Sequence, residues 1–152
     1  MMDAGEQAGG LRVGGGMAFA VNTDLAPMEA ASREEIPSGE GWQYEPKWDG
    51  FRCLAYRESG DVELRSKAGQ PLGRYFPEVV AAVRAVKAGR FVLDGEIVIP
   101  QGPALSFDDL LQRIHPAASR VEKLAAATPA WLVVFDLLAD ETGGSLVAAP
   151  LR

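Results

Sequence analysis

The chain has 152 residues, of which 47% are hydrophobic, and a formal net charge of −6. This size predicts a single domain with a real core, and the acidic balance argues against a protein that coats nucleic acid through bulk positive charge. One cysteine and one histidine exclude an internal disulfide and argue against thiolate or histidine metal clusters and Ser-His-Asp triads. We expect a cytoplasmic protein with no membrane partner, because no apolar run approaches the ~18 residues of a span and no secretory signal is present.

Residues 1–22 are rich in glycine and small residues, including Gly14-Gly15-Gly16. We interpret them as a disordered leader, or as the result of an upstream start choice, since Met17 could equally begin the protein. A phosphate-binding loop would need a preceding strand and a Gly-Lys-Ser/Thr ending, and the sequence contains no Gly-Lys pair. The folded part is therefore predicted to be residues 23–152.

The first predicted elements form an antiparallel group. Trp42–Lys47 and Phe51–Arg57 are predicted strands, joined by the hairpin signal Asp49-Gly50. A turn at residues 58–61 leads into a third strand, Val62–Ser66.

The second half of the chain adds helices between further strands. Pro77–Ala88 has valines at a helical period, with proline at its start and Gly89 just past its end. Ser106 and Asp109 resemble a capping box. Antiparallel hairpins with interspersed helices predict an α+β fold, with antiparallel sheets and flanking helices. The remaining predicted elements are strands Phe91–Leu93 and Glu96–Ile99, helices from Ser106 through Ile114 and over Ala117–Ala127, and a buried strand Trp131–Leu138.

The segment Glu45-Pro46-Lys47-Trp48-Asp49-Gly50-Phe51-Arg52 carries the sharpest chemical signal. Lysine attacks electrophiles only when deprotonated, and an unperturbed lysine is almost wholly protonated at neutral pH. A catalytic lysine therefore needs burial or special neighbours, and a turn that directs it at a target. Glu45 and Lys47 share a face of the predicted strand, and Asp49 and Arg52 flank the turn. The alternative is a surface hairpin with solvated charges.

Two further segments place notable residues inside apolar strands. Asp94-Gly95-Glu96 lies between apolar runs, where acidic residues are costly to bury unless they are paired or bound to a cation. Glu96 is a candidate to orient a sugar hydroxyl or share a divalent ion. The alternative is an exposed Asp-Gly turn between two short strands. Phe135, within 133–137, would on its own be a core residue.

Taken in order, these segments resemble the ATP-dependent DNA ligases of the covalent nucleotidyltransferase superfamily, which also holds RNA ligases and mRNA-capping enzymes. Residues 45–52 are similar to motif I, Asp94-Gly95-Glu96 to motif III and Phe135-Asp136 to motif IIIa. Residues 64–69, 74–78 and 107–116 are also ligase-like, closest to small bacterial ligases and the ligase module of end-joining proteins. The resemblance covers roughly residues 25–152 and implies the N-terminal part of a ligase adenylation domain.

The resemblance implies a covalent mechanism. Lys47 would attack the α-phosphorus of ATP, release pyrophosphate and become an AMP-lysine phosphoramidate. The adenylate would pass to a DNA 5′-phosphate, and the 3′-hydroxyl would displace AMP and seal the nick. ATP and Mg²⁺ (or Mn²⁺) are thus the implied cofactors. Nicked double-stranded DNA is the implied partner, with end-joining repair proteins as further candidates.

The resemblance also assigns roles to the site residues. Glu45 would read the adenine amino edge, Phe135 would stack on the adenine face, and Arg52 would contact the sugar and the DNA end. Glu96 would hold the ribose or the metal. The supporting residues are Asp49, which would orient the lysine or magnesium, together with Gly50, Lys67 and Asp94.

Two departures from the family pattern matter. Many ligases have Ser-Arg where this chain has Ser66-Lys67, and lysine keeps the charge without the planar fork that suits phosphate. The later E-G-x-x-x-K and K-x-K motifs and the C-terminal OB-fold domain do not occur in the 152 residues, so activity of this chain alone is a separate question from its family. Two alternatives stay open: an RNA ligase or capping-type enzyme, and a non-catalytic fragment that binds a nucleotide or a partner.

Overall fold

The computed structural model describes residues 11–13, 17–19 and 26–150. Its centre is a four-stranded antiparallel sheet in which the strands follow the order Asp61–Ser66, Phe51–Glu58, Arg90–Val98 and Trp131–Ala139. Helices flank this sheet, so the predicted α+β class is confirmed. In chain order the elements are β1 (Leu11–Val13), β2 (Met17–Phe19), β3 (Phe51–Glu58), β4 (Asp61–Ser66), α1 (Pro77–Ala85), β5 (Arg90–Val98), β6 (Pro100–Gln101), β7 (Ala104–Leu105), α2 (Phe107–Arg113), α3 (Ala118–Ala127) and β8 (Trp131–Ala139).

Two short strands lie within the segment predicted as a disordered leader. β1 and β2 pair antiparallel, with Leu11 opposite Phe19. Leu11 and Val13 alternate with Arg12, and Met17-Ala18-Phe19 is apolar throughout. In our prediction the glycine-rich composition outweighed these short strand-compatible patterns. The rest of residues 1–22 lies outside the described part of the chain, and the disorder predicted there stays a prediction.

The two faces of the sheet have different roles. Alternate residues of β3 point to opposite sides: Cys53 and Ala55 lie in the main core, whereas Leu54 and Tyr56 belong to a second apolar cluster. Helices α1 and α2 cover the main core and contribute residues such as Val79 and Leu110. At the end where β3 begins, this other face carries Arg52 and, opposite it in β5, Glu96.

The prediction of a first strand over residues 42–47, joined by a hairpin to the next strand, is wrong. Residues 42–47 have no regular secondary structure and are exposed, and the chain enters the sheet only at Phe51. The reason is topological, because β3 pairs with β4 on one side and β5 on the other and has no free edge for a third partner. Pro46 also lacks the N–H that a central strand would need. Glu45 and Lys47 therefore do not share a strand face.

The segment containing Asp94-Gly95-Glu96 is one continuous strand, not the two short strands that we predicted. β5 runs from Arg90 to Val98 without a turn, with Gly95 opposite Cys53 of β3. The alternative of an exposed Asp-Gly turn is thereby also wrong. Asp94 is only 4% exposed, and it has an arginine partner, as a buried carboxylate requires.

The other predicted elements are confirmed, with small shifts of their ends. β4 follows the predicted turn, and α1 begins at Pro77 but ends at Ala85, three residues early. The Oγ of Ser106 accepts a hydrogen bond from the backbone N–H of Asp109 and caps α2 as predicted. Within the described ranges, no helix is long and apolar enough to cross a membrane.

A buried ion pair joins the helices to the start of β8. Arg113 of α2 is fully buried and donates to Glu78 of α1 at 2.8 Å and to the carbonyl of Tyr75 at 2.9 Å. Glu78 in turn accepts a hydrogen bond from the backbone N–H of Ala130, one residue before β8. Because charged groups inside a protein need such partners, this cluster holds the helical layer in register with the strand that carries Phe135.

Candidate functional site

The segment that carries Lys47 meets the sheet at Gly50. A Cβ built on Gly50 would overlap with the carbonyl oxygen of Ile97 and would lie 3.0 Å from the Cγ of Glu96. The backbone N–H of Gly50 also acts to lower the pKa of the Glu96 carboxyl, which is otherwise raised by burial. Only glycine allows such close backbone approach, so the turn is pressed against β5 directly beside Glu96.

Lys47 itself is exposed and paired with Asp49. Its Nζ lies 2.9 Å from Oδ1 of Asp49, and 76% of the lysine side chain is exposed. The hydrogen bond and charge of Asp49 raise the pKa of Lys47, and the more distant charge of Glu96 acts in the same direction. A raised pKa keeps the amine protonated, so in this arrangement Lys47 is held charged beside Asp49 and is not a nucleophile.

Arg52 and Asp94 form a bidentate ion pair on the open face of the sheet. Nε and Nη2 of Arg52 lie 2.6 and 2.7 Å from the two oxygens of Asp94. Arg52 is directly opposite Glu96 in the β3–β5 register, and side chains of opposed residues share a face. The hydrogen bonds to Asp94 raise the pKa of Arg52 further above its already high ordinary value, so the guanidinium stays charged.

Phe135 reaches the same face through a β-bulge in β8. It is the extra residue between the partners of Asp94 and Gly95, where the β5–β8 register shifts. A Cβ on Gly95 would lie 2.5 Å from the carbonyl oxygen of Val133, so the glycine lets β8 come close at this point. The bulge places the ring of Phe135 against Arg52, whose guanidinium carbon is 4.7 Å from the ring centroid.

Glu96 lies between the two cations of the site. Burial raises the pKa of Glu96, while Arg52, the N–H of Gly50 and Lys47 all act to lower it. Among the described residues there is no group of three or more carboxylate, histidine or cysteine side chains that could hold a metal. Mg²⁺ characteristically uses one or two carboxylates plus substrate phosphates. Glu96 and the exposed carboxylate of Asp49 are donors of this kind.

Two predicted site residues lie apart from this group. Glu45 is exposed, and its carboxylate accepts a 3.4 Å hydrogen bond from the side chain of Gln43. Lys67 forms an exposed ion pair with Glu29 at 2.7 Å. Within the described ranges, neither residue has a hydrogen bond or ion pair to Arg52 or Glu96. Their predicted roles toward adenine and phosphate stay predictions.

The comparisons with known proteins identify the family. A family model for the ATP dependent DNA ligase domain matches residues 25–152. The chain belongs to the ATP-dependent DNA ligase family. DNA ligase C1 of Mycolicibacterium smegmatis is 48% identical over 128 residues, which cover 81% of this chain and 37% of that protein. DNA ligase C of Mycobacterium tuberculosis is 50% identical over 131 residues, which cover 84% and 36%. The family resemblance seen in the motifs is thus confirmed.

Solved ligase structures share the fold. The structure described as mycobacterial DNA ligase D complexed with ATP and MES superposes with a TM-score of 0.55 at 28% identity, over 69% of this chain and 31% of that chain. A bifunctional non-homologous end joining protein LigD of Bacillus subtilis is 34% identical over 119 residues, which cover 73% of this chain and 19% of that protein. The chain spans about a third of the length of the curated ligases C that it matches.

Two residues beside this group, Asp136 and Ile97, had no role in our sequence interpretation. Asp136 pairs with Asp94 across β5 and β8, and its charge acts on Arg52. Ile97 contributes its carbonyl oxygen to the wall beneath Gly50. A regular strand would have put Asp136 and Phe135 on opposite faces, so the bulge that brings both near Arg52 could not be read from the alternation of residue types.

Proposed function

We propose that this chain carries the lysine-adenylylation site of an ATP-dependent DNA ligase, with Lys47 as the nucleophile. The observation that carries the proposal is the convergence at one end of the sheet. The turn after Lys47 is pressed against Glu96, and Glu96 lies opposite Arg52, which contacts Phe135. A nucleophile, a carboxylate, a cation and an aromatic ring at one place are what adenylate transfer requires.

In this proposal Lys47 attacks the α-phosphorus of ATP. The ammonium of Lys47 first releases one proton to solvent. The free amine then forms a bond from Nζ to phosphorus, the bond from phosphorus to pyrophosphate breaks, and a second proton passes from Nζ to solvent as the phosphoramidate forms. Since the pair with Asp49 raises the pKa of Lys47, that pair has to be broken before the attack. Magnesium that arrives with the nucleotide would supply positive charge to the phosphates and to Asp49, and Asp49 and Glu96 are the carboxylates placed to hold it.

The nucleoside is assigned to the open face of the sheet. Phe135 would stack on the adenine and Glu96 would accept a hydrogen bond from the ribose, as predicted from the sequence. Arg52 is held between Asp94 and Phe135 and would contact the sugar. Glu45 would reach the adenine edge only after the exposed segment that carries it closes over the site.

The later steps and the partners extend the proposal to DNA. The adenylate would pass from Lys47 to the 5′-phosphate of a nicked duplex, whose 3′-hydroxyl then displaces AMP. The names of the relatives, which include DNA ligases and non-homologous end joining proteins, support DNA as the substrate and end-joining repair proteins as partners. This chain spans about a third of the ligases C. Sealing is therefore tested apart from adenylylation.

The test is covalent labelling of the chain with ATP that carries a radioactive α-phosphate. With magnesium or manganese present, we expect label that survives denaturation and maps to Lys47. The Lys47→Ala variant should take none. Lys87→Ala, which removes an exposed lysine beyond the end of α1, is the matched control and should label like the wild type.

The possible outcomes distinguish this proposal from its alternatives. Equal label on Lys47→Ala would mean that the nucleophile is wrong. Absence of label on the wild type, with adenosine binding retained, would mean a non-catalytic nucleotide-binding protein. If the chain labels, incubation with nicked duplexes of DNA and of RNA shows which nick accepts the adenylate, and preference for RNA would overturn the assignment to DNA.

A further inference from the structure

Two groups hold the guanidinium of Arg52 at once. Asp94 accepts both of its hydrogen bonds at 2.6 and 2.7 Å, and the ring of Phe135 lies 4.7 Å from its central carbon. Asp94 is almost fully buried and the Arg52 side chain is only 23% exposed. The pair is therefore poorly screened by water, and it holds the central carbon of the guanidinium over the ring of Phe135.

This arrangement covers the surface that the proposed function needs. A purine that stacks on Phe135 occupies the space above the ring, and in this structure Arg52 fills that space on one side. A guanidinium and a purine cannot both lie against the same ring face. Nucleoside binding on this face therefore has to displace Arg52 and break its contact with the ring.

We propose that Asp94 is a positioning residue that keeps Arg52 on Phe135 while no nucleobase is bound, so that the purine and Arg52 compete for the ring. The inference rests on the proposed nucleotide site. Asp94 lowers the affinity for adenosine because it stabilises the state in which Arg52 covers the ring of Phe135. Apparent affinity falls with the fraction of molecules that are competent to bind. On displacement, Arg52 gives up its two hydrogen bonds to Asp94 and turns toward the sugar.

The neighbouring carboxylates are less suited to this role. Glu96 lies opposite Arg52, and its side chain packs beside Gly50 of the turn. Asp136 faces Asp94 across the strand pair and contributes charge. Asp94 alone makes both short hydrogen bonds to Arg52 among the described residues, and its removal frees the guanidinium without touching the turn of Lys47.

The experiment measures the dissociation constant of adenosine, which has no phosphate and cannot react with Lys47. Isothermal titration of the full chain is carried out on wild type, Asp94→Asn, Phe135→Leu and the double variant. We expect Asp94→Asn to bind adenosine roughly three- to thirtyfold more tightly, the range that a partly buried cation–π contact is worth. The effect should vanish in the Phe135→Leu background, as a double-mutant cycle requires.

A matched control removes an aspartate of equal charge at the far end of the strands. Asp61 is the exposed first residue of β4 and lies opposite Glu58 of β3, so Asp61→Asn should leave the dissociation constant unchanged. Asp94→Glu keeps the charge and should restore the wild-type affinity in part. A residue that only supports the fold would give weaker adenosine binding and a lower midpoint of unfolding in both Asp94 variants.

The outcomes keep this inference distinct from the proposed function. Weaker or unchanged adenosine binding by Asp94→Asn would contradict the proposed competition between Arg52 and the purine. A gain in adenosine affinity that persists in the Phe135→Leu background would contradict it as well. Absence of adenosine binding in every variant would overturn it too, and labelling of Lys47 by ATP would then show whether the adenylylation site still stands. Tighter adenosine binding by Asp94→Asn with no label on Lys47 would support the competition and would contradict the proposal that Lys47 is adenylylated.

Discussion

Gly50 and Ile97 are in such close contact that the backbone of the turn and the carbonyl of β5 leave no room for a side chain. The contact lies three residues after Lys47 and one residue from Glu96, so it sets the position of the candidate nucleophile relative to the sheet. Gly50→Ala should force the turn away from β5. We expect a loss of about 1–3 kcal/mol in the free energy of unfolding, as for other overpacked sites, measured by urea denaturation.

A glycine in open space provides the control. Gly60 lies in the turn between β3 and β4, where an added Cβ meets nothing within 4 Å. Gly60→Ala should change the free energy of unfolding by no more than about 0.5 kcal/mol. If the two variants were equally stable, steric contact with Ile97 would not be what fixes the turn.

The pair of Lys47 and Asp49 predicts a change in amine reactivity. Because Asp49 raises the pKa of Lys47, its removal lowers that pKa, and a larger fraction of the amine is deprotonated at any pH below it. Asp49→Asn should therefore speed the acylation of Lys47 by an amine-reactive ester at pH 8, read by peptide mass spectrometry. The pH profile of the reaction should move to lower pH.

Lys87 is the internal reference for this measurement. It is exposed and lies in the same molecule, so its acylation should not respond to Asp49→Asn. An unchanged or slower reaction of Lys47, with Lys87 constant, would contradict the assigned cause of the raised pKa.

Much of the fold was accessible from the sequence because it is encoded locally. The capping serine Ser106, the proline that starts α1 and the valine spacing along α1 each act within a few residues. The strand predicted at 42–47 failed for a non-local reason. Its pattern is compatible with a strand, but β4 and β5 already occupy both edges of β3.

The candidate site was predictable in its residue types and less so in its geometry. The motif resemblance selected Lys47, Arg52, Glu96 and Phe135, and the structure brings the last three onto one face. The pairing of Arg52 with Asp94 depends on the register of two strands that are about forty residues apart in the chain. Neither that register nor the bulge at Phe135 is set by any short stretch of sequence.

The buried pair of Arg113 and Glu78 predicts a large loss of stability. Arg113→Met would leave the carboxylate of Glu78 with only the N–H of Ala130 in a largely buried position. Removing one partner of a buried ion pair costs about 3–5 kcal/mol, and we expect a loss of this order in urea denaturation. Lys67→Met breaks the exposed pair with Glu29, and the loss there should be at most about 1 kcal/mol. Similar losses in the two variants would contradict the role of Arg113.

Cys53 provides a pH-dependent probe of the main core. It is the single cysteine of the chain, it is fully buried in β3 next to Arg52, and burial raises its pKa from 9.0 to about 12. The folded state thus favours the protonated thiol. This contribution to stability is complete below pH 9 and is lost as the pH rises from about 9 to 12.

We therefore expect the free energy of unfolding of the wild type to fall more steeply over this pH range than that of Cys53→Ala. Other groups that titrate there are common to both proteins, so the difference in slope isolates the thiol. In native protein at pH 8, a thiol reagent should react with Cys53 only through opening of the sheet, and its rate should rise with urea. Rapid reaction without urea would mean that β3 is accessible in the folded state. The strand that positions Arg52 would then not be the rigid support that the site requires.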